Sequence, residues 1–131
     1  MSKREIGQYY HSLGYNCAQA VALAFSNELG LNEQTVAKNV AGFGGGFGRL
    51  REVCGAVSGM VYVLGALEGD FSPTDNEGKI TLYNKVQTLI KEFEKQNGSY
   101  VCRDLLECSK KRSCNLLVGD ACEILENYLK K

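Results

Sequence analysis

The stretch that decides the fold runs from residue 42 to residue 67 and reads GFGGGFGRLREVCGAVSGMVYVLGAL. It joins a loop with five glycines, residues 42–48, to an apolar segment, residues 52–67, that is nearly free of charge inside. A helix without a charged face is buried by its neighbours, so this segment predicts a central helix surrounded by others. Gly55 and Gly59 lie four residues apart and predict a smooth groove where another helix can approach closely.

The rest of the chain follows a helical pattern as well. Capping residues and glycine stops predict further helices over residues 3–13, 17–29, 33–40, 76–96, 101–107 and 114–129. The long helix among them has an apolar stripe expected to face the core: Ile80, Tyr83, Val86, Leu89, Ile90 and Phe93. We therefore expect an all-α fold, a compact bundle of about six helices around the buried central one, in a single domain covering residues 1–131.

The composition argues against several classes of function. The formal net charge is zero, with 44% hydrophobic and 23% charged residues, as in ordinary soluble proteins. A chain without net positive charge has no long-range field for nucleic acid or an anionic membrane, and the basic run at residues 110–112 is interpreted as a solvated loop. The longest apolar run is shorter than the roughly 20 residues that span a bilayer. The first residues show no apolar secretion segment, so a cytoplasmic location is expected.

The six cysteines are the first candidates for chemistry. A reducing compartment keeps cysteines as thiols unless they bind metal or do redox work. Four of them fall at predicted helix starts: Cys17, Cys54, Cys102 and Cys114. A helix N-terminus offers unpaired N–H groups and the positive end of the helix dipole, and both favour the thiolate and lower the thiol pKa. Because a thiolate both attacks disulfides and binds metal, either chemistry stays open at this point.

The spacing of the cysteines and the single histidine argues against several kinds of cysteine site. No C-x-x-C pair is present, which argues against a thioredoxin-type site or a zinc ribbon. Metal ligands would have to come from distant parts of the chain, and sites built from sulfur hold zinc or an iron–sulfur cluster. His11, the only histidine, is interpreted as exposed or packed, so a cysteine hydrolase lacks a supported base. Cys122 is interpreted as a core residue, and Cys108 ends the short helix.

The glycine loop is the second candidate site. Gly44, Gly45 and Gly46, followed by Arg49 and Arg51, can hold an anion with backbone N–H groups and guanidinium charge. The same N–H groups can instead donate to the sulfur atoms of a cluster or of a reactive thiolate. Five glycines in seven residues predict positive φ angles or a close approach of the backbone to another group. A tight connection that lets two buried helices cross closely explains the glycines equally well. The loop is not a Walker A motif, because no G-K-[ST] follows, and no strand precedes it as in a dinucleotide fingerprint.

The segment Val53–Gly59, VCGAVSG, resembles the C_GCAxxG_C_C family, which is named for a C-G-A-x-x-G motif and four characteristic cysteines. Residues 16–21 around Cys17 are similar to the N-terminal cysteine segment of that family, and the loop at residues 42–48 is similar to its glycine loop. The third and fourth family cysteines correspond to two positions in this chain: Cys102 and Cys114. The resemblance thus selects the same four cysteines as the capping pattern.

This resemblance implies a redox-active or metal-binding protein. Family members often lie near transporter or oxidoreductase genes, which implies a redox or transporter protein as partner, and some carry a twin-arginine export signal that is absent here. The leading hypothesis is that four cysteines converge to bind zinc or an iron–sulfur cluster, or to exchange thiol and disulfide states: Cys17, Cys54, Cys102 and Cys114. The alternatives are a small-ligand or anion-binding module built on the glycine loop, and a module with structural cysteines that docks through a helical face. Enzymatic activity and a homo-oligomeric state are left open.

Overall fold

The computed structural model describes residues 1–107 and 113–130 of the chain. Its helices in chain order are α1 (Lys3–Ser12), α2 (Cys17–Ala24), α3 (Ser26–Leu29), α4 (Glu33–Val40), α5 (Gly44–Phe47), α6 (Gly55–Glu68), α7 (Asn76–Asn97), α8 (Cys102–Glu107) and α9 (Cys114–Leu129). Within the described ranges, sheet-type pairing is limited to one isolated bridge between Val53 and Val101. The all-α prediction is therefore confirmed. The predicted loop at residues 110–112 and the position of Cys108 lie outside the described residues.

Polar side chains begin the helices at the predicted places. Asn16, Asn32, Asp75 and Ser113 each accept a hydrogen bond from the backbone N–H three residues further on, at 2.9, 2.8, 2.9 and 3.3 Å. Each of these bonds satisfies one of the N–H groups that a helix start leaves unpaired. As a result, Cys17 and Cys114 directly follow a cap that their own local sequence supplies.

The helix predicted over residues 17–29 is interrupted at Phe25, and the chain continues as the short α3. The hydroxyl group of Ser26 donates to the carbonyl oxygen of Leu23 at 2.8 Å. A serine that bonds a carbonyl three residues back competes with the helix ladder, which accounts for the break.

The central helix begins later than predicted, at Gly55 instead of Glu52. The carbonyl oxygen of Glu52 accepts a hydrogen bond from Cys102 N–H at 2.6 Å, and Cys54 N–H donates to the carbonyl oxygen of Tyr100 at 2.8 Å. The residues before Gly55 are thus extended, because they pair with a distant segment instead of with the first turn of the helix.

Helices α2 and α6 pack against each other in the core. Residues 20–24 of α2 and residues 55–60 of α6 are buried. A Cβ added at Gly59 would lie 2.7 Å from the carbonyl oxygen of Ala18, so the glycine allows the two backbones to approach, as the predicted groove requires. The prediction of one central helix is refined here, since α2 is at least as deeply buried as α6.

Helix α1 packs along α9 through small and charged residues. A Cβ added at Gly7 would lie 2.5 Å from Cys122 Sγ, so the two helices meet closely at this point. Arg4 Nη2 forms an ion pair with the buried carboxylate of Asp120 at 2.6 Å. Cys122 is fully buried, which confirms its interpretation as a core residue, and burial raises the pKa of its thiol to about 12.

The apolar stripe of α7 is only partly in the core. Leu89 and Phe93 are buried as predicted, whereas Ile80 and Tyr83 are 58% and 56% exposed. Lys85 binds Glu68 at the end of α6, at 2.6 Å, so the residues of α7 before Lys85 extend beyond the helix they pack against. The prediction that Ile80 and Tyr83 face the core is wrong for this reason. No helix among the described residues combines the length and apolar character that crossing a membrane requires.

Candidate functional site

The structure places the four helix-start cysteines on one cavity of about 530 Å³. They come from four separate places in the chain, at or next to the N-terminal ends of α2, α6, α8 and α9: Cys17, Cys54, Cys102 and Cys114. The volume is within the range of small-molecule sites, roughly 300–1,000 Å³. The cavity therefore brings together the four cysteines that the helix-start pattern and the family resemblance both selected.

Cys17 is the first residue of α2, and the residues around it fix its position. The Asn16 side chain caps this helix and also donates to the carbonyl oxygen of Ala41, at 3.1 Å. A Cβ added at Gly44 would lie 2.5 Å from the Asn16 side chain. A Cβ added at Gly55 would lie 3.2 Å from Cys17 Cβ. Two glycines on different segments thus leave the space that Asn16 and Cys17 occupy.

Cys54 and Cys102 are held side by side by the extended pairing that delays the start of α6. Cys54 is the residue before α6, and Cys102 is the first residue of α8. Because the segments carrying them are joined by backbone hydrogen bonds, the N-terminal ends of the two helices point at the same cavity. The N–H groups of Ala56 and Val57, in the first turn of α6, act to lower the pKa of the Cys54 thiol.

The glycine loop is wound in the left-handed region of backbone space. Residues 45–49 have φ between +60° and +72°, and Arg51 has φ +62°. Such angles cost a residue with a Cβ about 1–2 kcal/mol, and three residues other than glycine adopt them: Phe47, Arg49 and Arg51. At Gly46 a side chain is also excluded by contact, since an added Cβ would lie 2.9 Å from Cys102 Cβ. The expectation of positive φ in this loop is confirmed, and backbone strain of this kind is typical of functional sites.

Two arginines at the end of this loop give the cavity its charge. Arg49 and Arg51 both line it, and Arg51 Nη1 donates to Cys102 Sγ over 3.8 Å. Among the described residues, no acidic side chain lines the cavity and neither arginine forms an ion pair. Gly44 and Gly45 also line the cavity, whereas Gly46 is buried and does not line it.

The thiol pKa values move in the direction opposite to the one predicted from helix starts. Burial raises the pKa of Cys54 to about 11, although the N–H groups of Ala56 and Val57 act in the other direction. The pKa of Cys17 is raised above its ordinary value because its side chain is hydrogen-bonded to Cys114, and because it is buried beside the other cavity sulfurs. The prediction of lowered pKa values is wrong for Cys17 and Cys54, since burial and neighbouring sulfurs outweigh the helix terminus.

The four cavity cysteines also differ in how far they are exposed to solvent. Cys54 is buried, Cys17 and Cys102 are half-buried, and Cys114 is exposed. Cys17, Cys54 and Cys102 are thiols that carry no disulfide. Within residues 1–107 and 113–130, no three His, Cys, Asp or Glu side chains are arranged so that they could hold a metal ion.

Sequence reasoning missed His11, which lines the same cavity. Its Nε2 lies 3.9 Å from Cys17 Sγ, and its Nδ1 lies 3.2 Å from the amide nitrogen of Asn115. A signal was present in the chain, since His11 lies in the last turn of α1 and Cys17 begins α2 after a short turn. The contact with Asn115 has no such signal, because α1 and α9 lie at opposite ends of the sequence.

The chain is all-α and brings four cysteines from separate helix starts to one cavity, features that fit a redox-active protein. The C_GCAxxG_C_C family model, described as "Putative redox-active protein", matches residues 15–128. The chain belongs to this family. The matched range includes all four cavity cysteines and the glycine loop but not His11. Comparison with curated proteins and with solved structures found no match.

Proposed function

We propose that the protein carries out thiol–disulfide exchange with Cys17 and Cys114 as its redox pair. The observation that carries the proposal is that both side chains line one cavity, where Cys114 is the largest cause of the raised pKa of Cys17. Two cysteines on one cavity can be joined by a disulfide, in which the sulfurs lie about 2 Å apart, once their side chains move together. The description of the family as redox-active supports the same class of reaction.

In the proposed reaction Cys114 attacks first, because it is the exposed member of the pair. Its thiolate attacks one sulfur of a disulfide substrate, forms a mixed disulfide and releases the other half of the substrate as a thiolate. Cys17 then loses its proton and attacks the Cys114 sulfur, which releases the second half. The protein then contains a Cys17–Cys114 disulfide, and the substrate has become two thiols. The two protons that the cysteines lose balance the two that the released thiolates take up. Two electrons have passed to the substrate.

The pKa of Cys17 gives this reaction an order. Cys114 is the main cause of the raised pKa of Cys17, so Cys17 stays protonated before Cys114 has reacted. A mixed disulfide at Cys114 takes the charge of that sulfur away and removes this cause. Cys17 then ionises more readily at the step in which it has to attack.

Redox titration, followed by alkylation and peptide mass spectrometry, tests the proposal. The Cys17–Cys114 disulfide should be the first to form, and Cys17→Ser and Cys114→Ser should each abolish complete exchange with glutathione disulfide. Cys122→Ala is the matched control, because Cys122 is a thiol buried outside the cavity. Oxidised protein that lacks this disulfide, or exchange that survives in both serine variants, would overturn the proposal.

The second candidate function is a metal centre, either zinc or an iron–sulfur cluster. It is favoured by the convergence of four sulfurs on one cavity, a donor set that thiophilic metals prefer, and by the N–H groups of Ala56 and Val57, which favour negative charge on the Cys54 sulfur. The side chains of the described residues do not fit a metal ion in their present arrangement, so binding would require them to move. We derive no reaction step through a metal.

Expression with iron or zinc supplied, followed by purification without oxygen, separates the two candidates. A metal centre predicts close to one equivalent of metal or cluster, lost when Cys54 and Cys102 are both changed to serine. A colourless protein with less than about 0.1 equivalent of any metal would contradict the metal candidate and leave thiol exchange standing.

The charge of the cavity favours an anionic substrate or ligand in either case. Arg49 and Arg51 lack acidic partners among the described residues, so an anion bound there need not displace an existing ion pair. Inorganic phosphate or a carboxylate-bearing disulfide should raise the thermal stability of the protein, and changing both arginines to alanine should remove that increase. An increase that survives in the double variant would place the anion elsewhere.

A further inference from the structure

His11 is held at the cavity by one contact to each ring nitrogen. Nε2 faces the sulfur of Cys17 at 3.9 Å, and Nδ1 faces Asn115 Nδ2 at 3.2 Å. Asn115 Nδ2 also donates to the backbone carbonyl oxygen of Gln8 at 3.2 Å, and Gln8 Nε2 donates to the carbonyl oxygen of Asn115 at 3.3 Å. The imidazole is thus fixed between α1, α2 and α9.

These contacts determine which ring nitrogen carries the proton. A backbone carbonyl oxygen can only accept, so the Asn115 atom facing Gln8 has to be the amide nitrogen and not the amide oxygen. That nitrogen has a second hydrogen to give, and Nδ1 of His11 must accept it with a lone pair. A neutral imidazole with a bare Nδ1 carries its proton on Nε2. Burial lowers the pKa of His11, which favours the neutral ring.

We infer that His11 donates its Nε2–H to the sulfur of Cys17 and stabilises the thiolate that resolves the mixed disulfide. Asn115 is the positioning residue that selects the required tautomer. The inference rests on the proposed function and adds a catalytic residue outside the range that the family model matches.

The same geometry excludes His11 as the base that deprotonates Cys17. Nε2, the nitrogen facing the sulfur, already carries a proton, and Nδ1 is occupied by Asn115. The proton of Cys17 therefore leaves through the cavity to water. The arrangement of Cys17, His11 and Asn115 resembles a hydrolase triad in composition only, because a hydrolytic histidine must present a bare nitrogen to its nucleophile.

The tautomer can be measured without any redox reaction. His11 is the only histidine in the chain, so long-range ¹H–¹⁵N spectra of the reduced protein at neutral pH contain one imidazole. We expect the pattern of a protonated Nε2 and a bare Nδ1. Asn115→Asp keeps the size of the side chain but replaces the donor by an acceptor, and should shift the proton to Nδ1. A wild-type ring protonated on Nδ1, or a variant that keeps the wild-type pattern, would overturn the inference.

The catalytic part is tested by acid-quenched reaction with glutathione disulfide and mass spectrometry of the Cys114 peptide. In His11→Phe the mixed disulfide at Cys114 should persist about tenfold longer than in the wild type, and His11→Gln, which keeps an N–H donor, should recover part of the rate. Equal lifetimes in wild type and His11→Phe, with both proteins folded by circular dichroism, overturn the role of His11 alone. Failure of the wild type to form the Cys17–Cys114 disulfide overturns the proposed function itself.

Discussion

The substitution Gly46→Ala tests how the glycine loop supports the candidate site. Gly46 has φ +72°, where a residue with a Cβ is strained by about 1–2 kcal/mol. An added Cβ would also lie 2.7 Å from Glu52 N, 2.9 Å from Arg51 Cα and 2.9 Å from Cys102 Cβ. Backbone atoms cannot rotate away, so relief requires the loop or α8 to shift.

The magnitude follows from these two effects. Forcing a carbon atom into a packed position costs typically 1–3 kcal/mol, so strain and overpacking together predict a loss of about 2–5 kcal/mol in the free energy of unfolding. The loss is large compared with the roughly 5–15 kcal/mol that keep a domain folded.

The loop supplies its own controls for this measurement. Gly48 has φ +60° but no atom within 4 Å of an added Cβ, so Gly48→Ala carries the strain without the contact. Gly42 has neither a positive φ nor a close neighbour, and Gly42→Ala should leave stability unchanged or raise it by up to about 1 kcal/mol. Urea unfolding of the reduced proteins, followed by circular dichroism, measures all three.

The site provides a second readout, which a general loss of stability would not change in the same way. Because the new Cβ contacts Cys102 in Gly46→Ala only, the alkylation rate of Cys102 under native conditions should change in that variant and not in Gly48→Ala. Equal unfolding free energies for the Gly46 and Gly48 variants, with equal Cys102 alkylation rates, would refute the reasoning that Gly46 leaves space for Cys102.

Three further predictions concern other parts of the molecule. Arg51 has φ +62°, so Arg51→Gly should be about 1 kcal/mol more stable than Arg51→Ala in urea unfolding, the reverse of the usual order, and the usual order would contradict the strain. The pKa of Cys122 is about 12 in the folded protein, against 9.0 ordinarily. Between these two values the thiol stays neutral in the folded protein but ionises in the unfolded chain. The contribution of Cys122 to the free energy of unfolding is therefore complete below pH 9 and is lost as the pH rises towards 12. At pH 10 this loss is about 1.4 kcal/mol, and Cys122→Ala should lack it, whereas equal pH slopes for both proteins would show that the thiol ionises freely. Gly59→Ala should destabilise the protein by about 1–3 kcal/mol, because the new Cβ would lie 2.7 Å from the carbonyl oxygen of Ala18. Gly65→Ala is the control and should not destabilise the protein, because no atom lies within 4 Å of its Cβ. Similar free energies of unfolding for both variants would mean that α2 can move aside.

The features of the fold that depend on local sequence were predictable. The side chains of Asn16 and Ser113 cap their helices by accepting a hydrogen bond from the backbone N–H three residues further on. The same few residues place the cysteine that follows each cap. The start of α6 was not predictable, because the residues before Gly55 pair with a segment almost fifty positions away. The exposure of Ile80 has the same origin, since it depends on where α6 ends beside α7 and not on the α7 sequence.

The candidate site likewise has features that the local sequence predicts and features that depend on the packing of distant segments. The helix-start pattern and the family resemblance both selected the four cysteines, but neither contains information on their distances, exposure or shared hydrogen bonds. The predicted lowering of the thiol pKa considered only the helix terminus, and burial with a neighbouring sulfur reverses it for Cys17. His11 was missed because its role depends on Asn115, which contacts it only after α1 and α9 have packed.

The glycine loop acts on three of the four cavity cysteines at once, and this explains why its strain can be retained. Gly44 leaves room for the cap that precedes Cys17, and Gly46 leaves room for Cys102. The carbonyl oxygen of Gly46 also accepts a hydrogen bond at 3.1 Å from the N–H of Glu52, two residues before Cys54. Cys114 stands apart, because α9 and its own cap position it. In the proposed redox pair, the glycine loop helps to position Cys17, whereas the packing of α1 and α2 against α9 positions Cys114. His11 lies at this junction, in contact with both Cys17 and the residue next to Cys114, so a change in either element reaches the reacting sulfurs through the same imidazole.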